Sequence, residues 1–514
     1  MKKPLLLSLA TIAILGTTNA SAESMYERFQ AMELEMKKMK KELGTLRTKD
    51  KMSMAQADEE SDDENASTDD EENDDEMSVE EQLADIQDTL SDLNRHTNGN
   101  HLKFGVDYRF AIENLQYKMA DGSKQKNDAF MTNRLWLNMN WAATKNLSFT
   151  GQLAYNKAFG ARSGVNNSNN RFEAFDWVAN ENAYDDTLRV RSAYFFYKND
   201  TFMGTDVPWT FSIGRRPSTN GHLVNLRDDD HAASPMGHNI NVEFDGLSSK
   251  FVLENVTGIN GMYVKFCAGR AMSNAAPRFN TAPYANTTDN AAIDLAGLIF
   301  TPWSDGQYSI NSQYYYAANL IDIINPNDQT AGFQTVGNMH AITANFVANG
   351  IGDGISDFLD DTVFFVSGAM SITDPDKGKS MLGSAVDESV KGYSYWVGLQ
   401  SPSLITEEGR WGLEFNHGSK YWRSVTYGED TNIGSKLAAR GDAYEAYFTE
   451  PLIEDILSLQ IRYTYIDYKY AGSNGFFGST SGNAMSIDQA VAAGLGNRVV
   501  DTAQDIRFYL RYRY

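Results

Sequence analysis

From residue 101 to the last residue, Tyr514, apolar and polar side chains alternate with a period of two in one segment after another. A helix cannot sort residues in this way. A β-strand does so automatically, because successive side chains point to opposite faces. Leu102, Phe104, Val106, Tyr108 and Phe110 fall on one face, and Lys103, Gly105, Asp107, Arg109 and Ala111 on the other. Leu135, Leu137, Met139 and Trp141 oppose Arg134, Trp136, Asn138 and Asn140, while Leu413 and Phe415 oppose Gly412, Glu414 and Asn416. The chain finishes in QDIRFYLRYRY, with Ile506, Phe508, Leu510, Tyr512 and Tyr514 set against Arg507, Tyr509, Arg511 and Arg513. An apolar face that runs to the final residue must meet either a core or lipid.

Segments of this kind begin near residues 101, 130, 146, 186, 207, 246, 260, 292, 306, 338, 361, 392, 409, 442, 456 and 504. Each is about ten residues or longer, enough for a tilted strand to cross a bilayer. The connections alternate as well. From the second strand onward, ATKN, KNDTFMGTDVP, NVTGING, TPWSDGQ, ANGIGDGISDFLDD, SPSLITEEGR and TEPLIEDI are mostly short. Between them fall mostly long polar stretches around 118–128, 160–185, 217–240, 270–291, 319–337, 373–391, 419–441 and 471–503. Short turns at one rim and long loops at the other are the pattern of a transmembrane barrel. The expected fold class is therefore all-β: a transmembrane antiparallel β-barrel of about sixteen strands over residues 99–514, preceded by a short periplasmic α-helical, coiled-coil segment.

The N-terminal region has its own logic. MKKPLLLSLATIAILGTTNASA, residues 1–22, has the charged start, apolar stretch and small-residue cleavage site of a secretory signal. Its apolar stretch is too short to span a bilayer. Over 23–50, Met25, Phe29, Met32, Met36, Met39, Leu43 and Leu46 recur in steps of four and three, a heptad seam that favours self-association. Residues 51–77 hold an acidic linker: DEESDDENASTDDEENDDE carries thirteen carboxylates and no basic residue, so it repels itself and stays solvated. Those thirteen account for more than half of the formal net charge of −23, so the acidity says little about the folded part. A second helix is expected over 78–98, opened by the capping box Ser78-Val79-Glu80-Glu81.

With this signal, this strand rhythm and a closing strand that ends on an aromatic residue, the chain resembles the Gram-negative general porins. It more closely resembles a porin-like outer-membrane family of unassigned function with an N-terminal coiled coil. Tyr514 stands where Phe is usual. The resemblance implies residence in the outer-membrane lipid, insertion by the barrel assembly machinery, and a homotrimer. An even strand count places both ends of the barrel on the periplasmic side, and with them the N-terminal segment, free to contact periplasmic partners or peptidoglycan. No nucleic-acid partner and no cofactor are expected.

The polar inner face argues for water inside, and sixteen strands are wide enough for a channel. The expected function is an outer-membrane porin for passive diffusion of small hydrophilic solutes or ions. Closure would bring Arg507, Arg511 and Arg513 beside Lys103 and Arg109 and near Arg134, a basic wall; Arg189, Arg191 and Arg216 would form a second. Asp107, Glu113, Asp294, Glu414 and Glu445 stand as opposing carboxylates. Two outcomes are open: structural salt bridges, or a transverse field that leans towards anions. Arg462 joins the pore-lining candidates, as does Arg227 from the third long loop, GRRPSTNGHLVNLRDDDHAASPMGHN. The resemblance implies that this loop folds into the lumen as a constriction.

Other classes are weaker. His222, His231 and His238 are spaced nine and seven apart, which matches no zinc motif, so no metal is expected. No nucleophile elbow G-x-S-x-G lies between a strand and a helix, and catalysis is not expected. The single cysteine, Cys267, rules out an intrachain disulfide and a haem attachment motif. The chain could still serve as the barrel sheath of a conduit around a periplasmic cytochrome.

Overall fold

The computed structural model describes residues 103–160, 188–273, 292–325, 332–352, 354–426 and 431–514. All lie in one compact unit, Ala84–Tyr514. The signal, the heptad seam, the acidic linker and the second helix fall outside the described residues. Among the described residues no helix is long and apolar enough to cross a membrane.

Sixteen described strands close into one antiparallel barrel. In chain order they are β1 Lys103–Met119, β2 Lys124–Ala142, β3 Leu147–Ala158, β4 Arg189–Asn199, β5 Trp209–Ser218, β6 Val242–Val252, β7 Tyr263–Ser273 and β8 Ala292–Ser304. They continue with β9 Tyr308–Ile323, β10 Phe333–Asn349, β11 Val363–Pro375, β12 Lys391–Pro402, β13 Arg410–Gly418, β14 Gly441–Ile453, β15 Leu457–Tyr468 and β16 Val500–Arg513. Each strand pairs with its neighbours in sequence, and β16 returns to β1. The seam is closed to the last residue: the Val106 amide donates to the Tyr514 carbonyl (2.7 Å) and the Tyr514 amide to the Val106 carbonyl (2.9 Å). Closure leaves no edge, which is what allows a sheet to stand in lipid.

The two faces of β16 separate as the alternation predicts. Ile506 is 56% exposed on the outside, whereas Arg507 is 1% exposed within. Aromatic side chains gather on the outer surface near the short turns: Trp209 lies 5.4 Å from Phe202 and 5.5 Å from Tyr197, and Trp411 lies 4.6 Å from Phe448. Nearer the long loops, Phe415 contacts Tyr395 (5.8 Å) and Tyr444 (5.0 Å). Rings at both levels with aliphatic residues between them are the interfacial girdles of a membrane barrel.

Two details differ from the sequence reading. The first connection, expected to be long over 118–128, is a tight turn between Met119 and Lys124. Gly122 takes φ +84°, open to glycine and strained for other residues, and Asp121 accepts from the Ser123 amide (2.9 Å). The polar run KQKND then continues as strand, because ladder pairing above the membrane needs no apolar face. Secondly, Asp294 points outward. Along β8 the alternation is unbroken: Ile293, Leu295 and Ile299 are buried on the inner face, the first two within an apolar cluster, so Asp294 falls on the outer one. Asp294 accordingly pairs with Arg270 on the outer surface (2.7 Å) and is not an inner-face carboxylate.

Candidate functional site

Inside the barrel the inward halves of the strands meet two inward-folded loops. The third long connection, residues 219–241, runs from β5 across to the opposite wall. It contains α1, Val224–Asp228, with Leu223 and Val224 fully buried. Gln400 of β12 donates to the Leu226 carbonyl (2.9 Å), and Gln460 of β15 to the Arg227 carbonyl (2.6 Å). The Arg227 guanidinium approaches Glu445 of β14 (3.5 Å). Further along, the ring nitrogens of His238 engage Ser367 of β11 (2.8 Å) and Ser394 of β12 (2.9 Å), while Trp396 and Trp422 lie 5.7 Å from its ring. The loop is therefore fastened to at least four strands on the far side. Its inward course matches what the resemblance implied.

The seventh long connection, 419–440, also folds inward, and the sequence reading did not anticipate it. Asn241 donates its amide to the Val425 carbonyl (2.7 Å), and Val425 donates to the Asn239 carbonyl (3.0 Å), so the two loops pair with each other. Lys436 reaches Glu414 of β13 (2.5 Å) and Glu445. Arg423 donates to the carbonyls of Ser473 and Gly475, and Arg440 to those of Trp422 (2.9 Å), Ala471 (2.9 Å) and Gly482 (2.8 Å). These fully buried guanidiniums use their fork of donors to bind loop backbone. The signal for this loop was present: Trp422, Ile433, Leu437, Ala438 and Ala439 are all buried, and a water-exposed loop has no use for them.

Arginines of β1, β2, β15 and β16 stand together on the inner wall, interleaved with acids. Closure sets Arg109 opposite Arg511, Glu113 opposite Arg507 and Arg462 opposite Arg507. Asp107 lies between Arg134 (3.2 Å) and Arg511 (2.5 Å). Arg511 and Arg513 each reach Asp230 of the third loop at 3.0 Å, and Arg513 also reaches Asp229 (3.2 Å). Arg507 pairs with Glu113 (3.2 Å), which accepts from Asn432 of the seventh loop (2.9 Å) as well. Arg462 stands 3.9 Å from Glu445. Arg109 lies over the Tyr509 ring, and Arg134 and Arg191 both lie over Trp136.

The remaining candidates are more scattered. Arg191 approaches Glu243 (3.5 Å) and donates to Gln152 (2.5 Å). Arg189 is half-buried on β4, Arg216 lies lower on the wall of β5, and Lys103 is exposed at the rim. His222, His231 and His238 do not converge, and among the described residues no three potential ligands assemble as a metal site requires.

Two cavities lie inside at the short-turn end. One, about 580 Å³, is bordered by Asp107, Gln152, Arg191, Arg216, Arg511 and Arg513. The other, about 440 Å³, is bordered by Lys250, Tyr263, Lys265, Thr301, Ser309 and Asn311. At the long-loop end the β6–β11 wall carries an apolar cluster instead, with Val242, Ile293, Tyr315 and Met339 packed against Met381, Phe476 and Phe477 of the sixth and eighth loops. The interior is thus divided into an apolar side and a charged side.

An apolar outer belt, two aromatic girdles and a charged interior under complete closure define a transmembrane β-barrel of sixteen strands. The chain belongs to the family described as Protein of unknown function (DUF3373), whose model matches residues 124–514. No curated protein matches it significantly. Among solved structures it is similar to OmpT in its trimer form, an outer membrane protein of Vibrio cholerae (13% identity, 81% of this chain and 100% of that chain, TM-score 0.42). It is also similar to Salmonella typhi OmpF in complex with daunomycin (12%, 81% and 99%, TM-score 0.43). Pseudomonas putida OprB is a third likeness (14%, 84% and 97%, TM-score 0.43). Similarity at this level carries no argument about solute or mechanism.

Proposed function

We propose that the protein is an outer-membrane channel for small hydrophilic solutes or ions, with the third and seventh loops as its constriction. The observation that carries this reading is the lining of the two cavities at the short-turn end. Charged and hydroxyl-bearing side chains face a shared interior there, on the inner faces of strands whose outer faces are apolar. A barrel built only as a scaffold would fill this space with apolar side chains, as the β6–β11 wall does at the other end. The sheath reading is disfavoured, because a conduit needs a lumen free to admit another protein, whereas two loops paired with each other cross this one. A lean towards anions is supported by Arg216 and Lys250, whose partners are hydroxyls and rings, and less by Arg507, Arg511 and Arg513, which are ion-paired.

The test is the current through a planar bilayer containing the purified full chain. Discrete conductance steps are expected, closing in thirds at high voltage for a homotrimer, with a reversal potential displaced towards the anion in a salt gradient. A protein that inserts and never conducts would end the channel reading. Single-level closure would end the trimer, and a cation-selective potential would end the anion lean.

We further propose that the short turns and residues 23–98 face the periplasm and that the long loops face outward. Protease added to intact cells is then expected to cut within 469–499, with residues 23–98 protected until the outer membrane is opened. Cleavage of 23–98 in intact cells would reverse the orientation.

A further inference from the structure

At the long-loop end another cavity, about 560 Å³, lies between the eighth connection, residues 469–499, the seventh loop and the ends of β1, β15 and β16. Its volume falls within the range of small-molecule pockets, about 300–1,000 Å³. Three tyrosines border it: Tyr117 of β1, Tyr468 of β15 and Tyr470 of the eighth loop. Among the described residues on its border the only basic side chain is Arg498, and there is no carboxylate.

Part of this lining is fastened to the barrel. The Thr480 amide (2.7 Å) and the Ser481 hydroxyl (3.1 Å) donate to Asp322 of β9, which is buried. Ser481 accepts from the Phe476 amide (2.9 Å), and the Ser473 hydroxyl accepts from the Arg440 amide (3.0 Å). The two arms of the loop also close on each other, with the Ala471 amide donating to the Met485 carbonyl (2.8 Å). Gly472 permits this approach: it takes φ +78°, and a Cβ there would lie 2.7 Å from the Asn483 carbonyl oxygen. The cavity is thus built before a ligand arrives, and little ordering remains to oppose binding.

Other lining groups have no such structural duty. The Tyr470 hydroxyl, the Asn474 and Asn483 amides and the Arg498 guanidinium hold no hydrogen bond among the described residues. Tyr470, Asn474 and Asn483 are half-buried, and Arg498 is exposed. Amides and hydroxyls both donate and accept. An anion would find a single cation here, and a cation no carboxylate. An apolar ligand would strand the amides without partners. A sugar suits them, because its hydroxyls donate and accept around the ring and its C–H face packs on an aromatic side chain.

We propose that this cavity binds a short neutral saccharide, free or as the end of a glycan chain, at the long-loop mouth of the barrel. Taking the sugar as cargo rests on the channel reading; its binding does not.

The test applies the full chain, purified in detergent and fluorescently labelled, to an array of immobilised neutral and acidic glycans. Saturable binding to a subset of the neutral glycans is expected. It should weaken about tenfold in Tyr470→Ala and in Asn483→Ala, as the loss of a hydrogen-bonding side chain implies. Glu408→Gln, an exposed position in the β12–β13 turn at the opposite end, should leave it unchanged. Heat-modified gel mobility shows that each variant has folded. Tyr470→Phe, which keeps the ring and loses the hydroxyl, should still weaken binding if an alanine variant does not fold. Competition by free maltose, lactose or sucrose identifies a free sugar, and resistance to all three a chain end. Binding to no neutral glycan overturns the site, as does equal binding by the Tyr470 and Asn483 variants. A protein that binds sugar and carries no current keeps the site and loses the channel.

Discussion

Exchange of Asp107 for alanine is expected to lower the unfolding free energy of the barrel by about 3 kcal/mol, the low end of the range for breaking a buried ion pair. Asp107 is the carboxylate between Arg134 and Arg511, and all three side chains are buried. Removing it leaves two guanidiniums without their shared acid, and the loss comes from their uncompensated charge more than from the vanished contact. Asp230 still serves Arg511, and Asp107 borders a cavity that water can enter, which is why the low end applies. Asp107→Asn, which keeps volume and an acceptor, should cost less than alanine. Urea unfolding of the barrel refolded into lipid vesicles gives the comparison. Equal midpoints for all three proteins would mean that this part of the lumen is hydrated enough to screen the pair.

Those arginines show how far a single sequence carries an argument. The alternation within QDIRFYLRYRY assigns both faces correctly, because a strand has no other way to arrange its side chains. Sixteen segments of that pattern, with short and long connections in turn, lead to a closed sixteen-stranded barrel. What alternation cannot convey is register. Nor does it say which face is inside where the interior is apolar: Ile293 and Leu295 turn inward there, which sends Asp294 to the outer surface. Pairing of Lys250 with Lys265 is likewise invisible until the strands are aligned, since fifteen residues and a turn separate the two positions. The loops were half legible. The inward course of 219–241 came from resemblance, while that of 419–440 was readable from Trp422 and Leu437 alone, had burial been asked of a loop. Loops lack a period, so burial there is signalled only by composition.

The largest effect is expected on the other face of the closing strand. Phe508 stands between Ile112 of β1 and Ile461 of β15, and Leu510 between Phe110 and Leu459, so both lie in the apolar outer belt at the seam where the barrel closes. Arginine on a lipid face costs about 2–4 kcal/mol near the bilayer midplane. The double replacement Phe508→Arg with Leu510→Arg should therefore destabilise the inserted barrel by about 4 kcal/mol or more, with mutual repulsion of the two guanidiniums adding to it. Arg507 and Arg511 occupy alternate positions of the same strand, pair with Glu113 and Asp107, and are accommodated within the lumen. A displacement of one residue thus separates a tolerated guanidinium from a disruptive one, a contrast that no helix or soluble core would produce so sharply. Heat-modified gel mobility and recovery in the outer-membrane fraction report the outcome. The double variant should lose the compact, heat-modifiable form, and its persistence at the level of the parent would place Phe508 and Leu510 away from lipid and invert the assignment of the two faces.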